Sequence, residues 1–118
     1  MEKPDTEFEA AALLEEIKNR IKESGLLFMN GRQKNAQTLA DLEVNPSIQR
    51  QIIDNLCSSD YCGGPDEDHR YAWKYIAVFG IEFKGVELYI KFSVGVNGTP
   101  VVCLSFHIAE QPLRYQFK

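Results

Sequence analysis

Tyr89, Lys91, Ser105 and His107 are side chains that together could move a proton and hold an anion, and a strand register gathers them on one face of a sheet. By type, His107 is the acid or base of the group, because an unperturbed imidazole titrates at about 6.5. Lys91 supplies a positive charge. Tyr89 supplies a ring that can stack and a hydroxyl that can donate a hydrogen bond.

The register follows from period two, since successive side chains of a strand point to opposite faces. Val86, Leu88, Ile90, Phe92 and Val94 form one apolar row, and Glu87, Tyr89, Lys91 and Ser93 the other. In the next run Val102, Leu104, Phe106 and Ile108 are apolar, with Val101, Cys103, Ser105 and His107 opposite. The turn-rich segment Val96-Asn97-Gly98-Thr99-Pro100 reads as the hairpin connection. Both apolar rows face one core only when opposed residue numbers sum to an even value, and a turn centred on Gly98 makes that sum 196. Tyr89 then faces His107 and Lys91 faces Ser105. A slip by one residue would bury Lys91 and Glu87, so burial enforces the pairing.

The preceding run, Trp73–Phe83, joins the same sheet through Lys84-Gly85, where glycine takes the positive φ that a tight turn requires. The alternation predicts Trp73, Tyr75, Ala77, Phe79, Ile81 and Phe83 in the core. Lys74, Ile76, Val78, Gly80 and Glu82 fall on the Tyr89 face, with Gly80 opposite Tyr89 and space above its ring. Lys74 is about six residues along the strand from that point, roughly 20 Å at ~3.4 Å per residue.

Each of these side chains also has a structural reading. A histidine at a strand end can be a solvated or hydrogen-bonded residue, and Lys91 can pair with Glu87 or Glu82. Cys103 beside His107 fits small packing better than a nucleophile. Asp66-Glu67-Asp68 reads as a solvated loop rather than a metal site.

The first half must supply the elements that carry this sheet. Thr6 and Glu9 make a capping box, so a helix is predicted to run to about Ser24, with Ala10, Leu13, Leu14, Ile17 and Ile21 as its apolar stripe and Gly25 as its stop. Leu26–Met29 suits a short strand. Arg32–Leu42 reads as a helix with Ala36, Leu39 and Leu42 inward. Asn45 caps a further helix with Pro46 in its first turn and Ile48, Ile52, Ile53 and Leu56 as its stripe. Ser58–Arg70, with Gly63-Gly64-Pro65 and the acidic cluster, reads as a loop. Helices covering one face of a meander make an α+β fold and leave the other face partly open for a ligand.

A chain of 118 residues that is 44% hydrophobic is expected to form one domain, spanning 1–118, without staples. Three cysteines and no apolar run of membrane-spanning length point to a reducing, cytoplasmic setting away from membranes. Cys57, Cys62 and His69 lack a fourth ligand at recognised spacing, so no metal or other cofactor is expected. A net charge of −4 argues against nonspecific nucleic-acid binding, but it is unevenly spread. Residues 1–30 hold seven acids and four bases, whereas residues 61–118 hold six of each, with three of those acids in Asp66-Glu67-Asp68. One face of the sheet half can therefore be basic.

In order and spacing, the chain resembles the MqsR-type toxins, RelE-like mRNA interferases of bacterial toxin–antitoxin systems. The resemblance runs over nearly the whole chain: the helix ending in Gly25, the strand Leu26–Met29, Arg32-Gln33-Lys34 leading into Thr38-Leu39-Ala40-Asp41-Leu42, and Ile52-Ile53-Asp54-Asn55-Leu56 before Ser59-Asp60-Tyr61. It continues with Trp73, Val86-Glu87-Leu88-Tyr89-Ile90-Lys91 and Leu104-Ser105-Phe106-His107. It implies a RelE-like α+β fold, in which an antiparallel sheet (a three-stranded C-terminal meander plus a short N-terminal strand) carries helices on one face. It also implies metal-independent cleavage of mRNA and neutralisation by a cognate antitoxin, a small DNA-binding protein. The family's active-site tyrosine falls on Tyr89 and its last-strand lysine on His107. Its sheet-entry glutamine falls on Lys74, and its lysine after the Asp-aromatic step falls on Gly63. The tail Ala109–Lys118 extends beyond the family pattern and brings Arg114 and Tyr115.

Metal-free RNA cleavage needs a base for the 2′-hydroxyl, cations for charge building on the phosphate and an acid for the leaving 5′-oxygen. The expected catalytic set is Tyr89, His107 and Lys91. Lys74, Arg114, Arg32 and Lys34 are the expected RNA and phosphate contacts, Arg114 because guanidinium matches phosphate bidentately. The alternative is a noncatalytic RelE-like module that holds RNA or a protein on the same face.

Overall fold

A computed structural model describes residues 2–71 and 73–118. Helix α1 spans Glu7–Ser24: the Thr6 hydroxyl accepts from the Glu9 amide at 3.1 Å, and the Glu9 carboxylate reaches back to the Asp5 amide at 3.1 Å. The helix ends at Gly25, whose φ of +97° suits glycine and whose amide bonds Ile21 O at 2.8 Å. Its predicted stripe is the buried one, Ala10, Leu13, Leu14, Ile17 and Ile21.

Strand β1 (Leu26–Phe28) is followed by α2 (Gln33–Leu42), α3 (Pro46–Asp54), a short 3-10 turn (Ser58–Asp60), and strands β2 (Tyr61–Glu67), β3 (Tyr75–Phe83), β4 (Val86–Val94) and β5 (Val101–Ile108). The five strands form one sheet in the order β1-β5-β4-β3-β2. The class is α+β, and the sheet is mixed rather than purely antiparallel, because β1 runs parallel to β5. Phe79, Phe92, Phe106, Leu88 and Ile90 are buried on one sheet face with the α1 stripe and with Ile52, Ile53 and Leu56. Each such side chain contributes about 1.5–3 kcal/mol by leaving water.

The register carrying the site is the expected one. Gly80 pairs with Tyr89 across β3 and β4, and Lys84 and Gly85 form the turn with φ of +52° and +82°. Tyr89 pairs with His107 and Lys91 with Ser105 across β4 and β5. Beyond Lys91 the register shifts by one residue, so that Phe92 pairs with Cys103 and Ser93 with Val102. This irregularity at Leu104 corrects the simple alternation. Cys103 belongs to the core, 1% exposed, and burial pushes its thiol up to about 12.

Three further expectations are corrected. The segment read as a loop contains β2, an edge strand with two register shifts, which accommodates Gly63, Gly64 and Pro65. Trp73 is 65% exposed instead of core, because the chain turns before β3: the Tyr71 amide bonds Asp68 O and the Lys74 amide bonds Tyr71 O. In α2, Ala36 is exposed, and the inward positions are Asn35 and Thr38, with Leu39 and Leu42 partly buried against the core.

Candidate functional site

The polar inward face of α2 explains how a helix docks where a strand would otherwise continue. β1 pairs with β5 only as far as Cys103, leaving the β5 backbone from Leu104 onward without a strand partner on that edge. Asn35 fills the gap: its amide nitrogen donates to Leu104 O at 3.1 Å, and its amide oxygen accepts from the Phe106 N–H at 3.0 Å. Thr38 Oγ1 accepts from the Ile108 N–H at 3.0 Å. The helix thus completes the sheet edge with side chains in place of a backbone, satisfying groups that would be costly to bury unpaired. Its first turn, with Arg32 and Lys34, is thereby fixed beside β5.

The last ten residues build the opposite wall. The Ala109 N–H bonds Glu87 O at 2.9 Å, the Leu113 N–H bonds a Glu87 carboxylate oxygen at 3.3 Å, and the Gln116 N–H bonds Tyr61 O at 3.2 Å. Phe117 stacks on Tyr61 with centroids 5.9 Å apart. The space over Gly80 is therefore occupied: a Cβ there would meet Leu113 and the Tyr115 hydroxyl. Burial, and then the neighbouring Glu87 carboxylate, raise the Tyr115 pKa strongly.

Between these walls lies an open cleft of about 920 Å³ whose floor is Tyr89, Lys91, Ser105 and His107. Arg32, Lys34 and Arg114 line its rim, with Cys62 and Val78 on the β2 and β3 side. Lys74 does not line it; its ammonium lies 4.7 Å from the centroid of the Tyr71 ring. Of the expected site residues, six of seven converge on the cleft and Lys74 stands apart along the same face.

The Tyr89 and His107 rings stack, with centroids 5.3 Å apart and planes 22° from parallel. His107 Nδ1 lies 2.9 Å from Ile108 O. A carbonyl can only accept, so Nδ1 carries the proton, and in the neutral ring Nε2 keeps a free lone pair. Burial, followed by the Cys62 side chain, raises the Tyr89 pKa, so this phenol stays protonated and donates rather than serving as a base. Burial lowers the Lys91 pKa, and the charges of Arg32 and Arg70 lower it further against the opposing influence of Asp68. Lys91 is thus a cation crowded by cations, the condition that an anion relieves.

At the rim, Lys34 meets Glu110 at 2.6 Å, and this contact lowers the Glu110 pKa. Arg32 donates from Nη1 to Leu104 O at 3.0 Å and retains its charge without a carboxylate partner among the described residues. The α2 first turn contains no acid, so its free amides add to the positive end of the cleft. Cys62 is a thiol rather than a thiolate, its pKa pushed up to about 11 by burial and then by Glu87 and Asp60. No group of three or more His, Cys, Asp or Glu side chains converges as a metal site among the described residues.

Two features escaped sequence reasoning. Asp68, grouped there with a solvated cluster, is 4% exposed and accepts from Ser93 Oγ at 3.0 Å, from the Arg70 amide at 3.0 Å and from Arg70 Nε at 3.3 Å. Ser93 at an even distance from Lys91 was the available signal, since it places a hydroxyl on the same face. Asn35 gave no signal, because its partners lie about seventy residues away. Among the described residues no helix is long and apolar enough to cross a membrane. Comparison with protein-family models, with curated proteins and with solved structures gave no significant match.

Proposed function

We propose that the chain is an endoribonuclease that cleaves mRNA by attack of a 2′-hydroxyl on the adjacent phosphate without using a metal ion, the toxin of a type II toxin–antitoxin pair with a small DNA-binding protein as its antitoxin. The observation that carries this reading is the presence of both His107 and Lys91 on the floor of one cleft rimmed by Arg32, Lys34 and Arg114, with His107 Nδ1 tied to a carbonyl so that Nε2 is free. In the reaction, Nε2 takes the 2′-hydroxyl proton as the 2′-oxygen bonds to phosphorus. The bond from phosphorus to the 5′-oxygen breaks, leaving a 2′,3′-cyclic phosphate. Lys91 gives the departing 5′-oxygen its proton, a role that its lowered pKa favours. Arg32 and Arg114 hold the charge that builds on the phosphate, which preorganised cations do well in a partly desolvated site. Tyr89, held as a neutral phenol, positions His107 by stacking and offers its hydroxyl to the ribose.

The test is the chemistry of the cut. Incubation of a mixed-sequence RNA in EDTA, with and without ribosomes, is expected to give fragments ending in 2′,3′-cyclic phosphate and no cutting at positions carrying 2′-deoxyribose. Cutting at deoxyribose positions would exclude the 2′-hydroxyl as nucleophile. Tight binding with no cutting in either condition would replace the enzyme by a noncatalytic RNA-binding module.

A further inference from the structure

The chain has one tryptophan, and it is 65% exposed; Tyr71, two residues before it, is 48% exposed. Large aromatic rings ordinarily contribute to folding by leaving water, so two open rings on one short connection stand out as a recognition feature. The described residues beside them are held by hydrogen bonds. Asp68 is buried and bonded to Ser93 of β4 and to Arg70, while the Asp68 N–H meets Lys74 O at 3.1 Å and the Tyr71 N–H meets Asp68 O at 2.9 Å. The Tyr71 backbone is therefore held before any ligand arrives, which lowers the ordering entropy that binding to its ring costs.

The surroundings are of mixed charge: Arg70 is paired with Asp68 at 3.3 Å and Glu67 is exposed, while Lys74 has no carboxylate partner among the described residues. Lys74 lies over the Tyr71 ring, its stem against Gly95, the residue that follows β4. Arg70 is close enough to Lys91 to be one of the charges acting on it. The nearby acid Asp66 is paired with Lys3 at 3.0 Å. From Lys91 to Val94, where β4 ends just before Gly95, is three residues, about 10 Å at ~3.4 Å per residue.

We infer that Tyr71 and Trp73, flanked by Arg70 and Lys74, form a stacking platform for unpaired bases of a single-stranded RNA whose phosphate lies in the cleft. The inference rests on the reading of the cleft as an RNA site and extends it to the substrate class. Single strands are favoured because stacking requires splayed bases, whose faces a duplex conceals. Lys74, a cation over the Tyr71 ring with no carboxylate partner among the described residues, favours RNA over a protein partner.

Trp73 is its own reporter. A single-stranded 2′-O-methyl oligonucleotide, which supplies no attacking hydroxyl, is titrated into the full chain in EDTA while Trp73 fluorescence and the anisotropy of an end label are read. Expected are quenching of Trp73 and a loss of affinity of about 5- to 100-fold for each of Tyr71→Ala and Trp73→Ala. Phe8→Ser, which removes an exposed ring on α1, is the control and keeps wild-type affinity. Because all three side chains are exposed, circular dichroism is expected to be unchanged. Binding without quenching and with unchanged affinity in both variants overturns the platform while leaving the cleft intact, and assigns the rings to a protein partner instead. A wild-type chain that binds no RNA overturns the platform and the cleft together.

Discussion

Replacing Asn35 by alanine tests whether a helix side chain really substitutes for a strand at the β5 edge. Asn35 is 2% exposed and makes three hydrogen bonds: to Met29 O at 2.9 Å, to Leu104 O at 3.1 Å and from the Phe106 N–H at 3.0 Å. The two carbonyls keep a second donor, since Leu104 O also accepts from Arg32 Nη1 and Met29 O from the Arg32 N–H. The Phe106 N–H retains no other partner among those described. An orphaned buried donor costs about 1–3 kcal/mol and each of the other lost bonds about 0.5–1.5 kcal/mol, so Asn35→Ala is expected to destabilise by about 3 kcal/mol. With a urea m-value of about 1–3 kcal/mol/M, the unfolding midpoint falls by about 1–3 M. The same substitution loosens Arg32 and Lys34, so RNA affinity should fall although neither cation is altered. A loss below about 0.5 kcal/mol, the range of substitutions at ordinary surface positions, would refute the edge-completion argument.

Other expected outcomes follow from single contacts. Gly80→Ala places a methyl against Leu113 and Tyr115 and should cost about 1–3 kcal/mol, with earlier proteolytic cutting in the tail than in wild type. Lys91→Met should stabilise the fold in urea, because it removes a desolvated cation beside Arg32 and Arg70, yet weaken RNA binding and reduce the salt slope by about 0.7. Gly63→Lys enters open space next to Val78 of the cleft wall and should tighten RNA binding while steepening the salt slope by about 0.7. Burial raises the Asp68 pKa, but the bonds from Arg70 and Ser93 outweigh it and hold the carboxyl below its usual value. The resulting stability is present above the unfolded pKa of about 3.9 and is lost as pH falls through the lower folded value. Asp68→Asn should therefore make acid unfolding below about pH 4 shallower, as followed by circular dichroism.

Local pattern revealed the helices and the register that pairs Tyr89 with His107, because burial of one face penalises every alternative. It failed where tertiary partners override pattern. The shift at Leu104 exchanged the faces of Val101, Val102 and Cys103 in β5, and no residue in that run announces a bulge. β2 was hidden by Gly63-Gly64-Pro65 and by charges that an edge strand tolerates and a central one does not. Trp73 was placed in the core by extending the β3 alternation two residues past the turn that Asp68 anchors. The tail over Gly80 could not be foreseen, because its hold on Glu87 and Tyr61 depends on contacts distant in sequence. The cleft floor was thus legible from strand periodicity, whereas both of its walls are products of long-range contacts.

The most direct test of the account is single-turnover cleavage of RNA in EDTA by the wild-type chain and by His107→Ala. The account predicts a loss of about 10²–10⁴-fold in rate with RNA affinity and fold retained, as removal of a general base requires. Equal rates for the two proteins would contradict it and remove His107 from the chemistry.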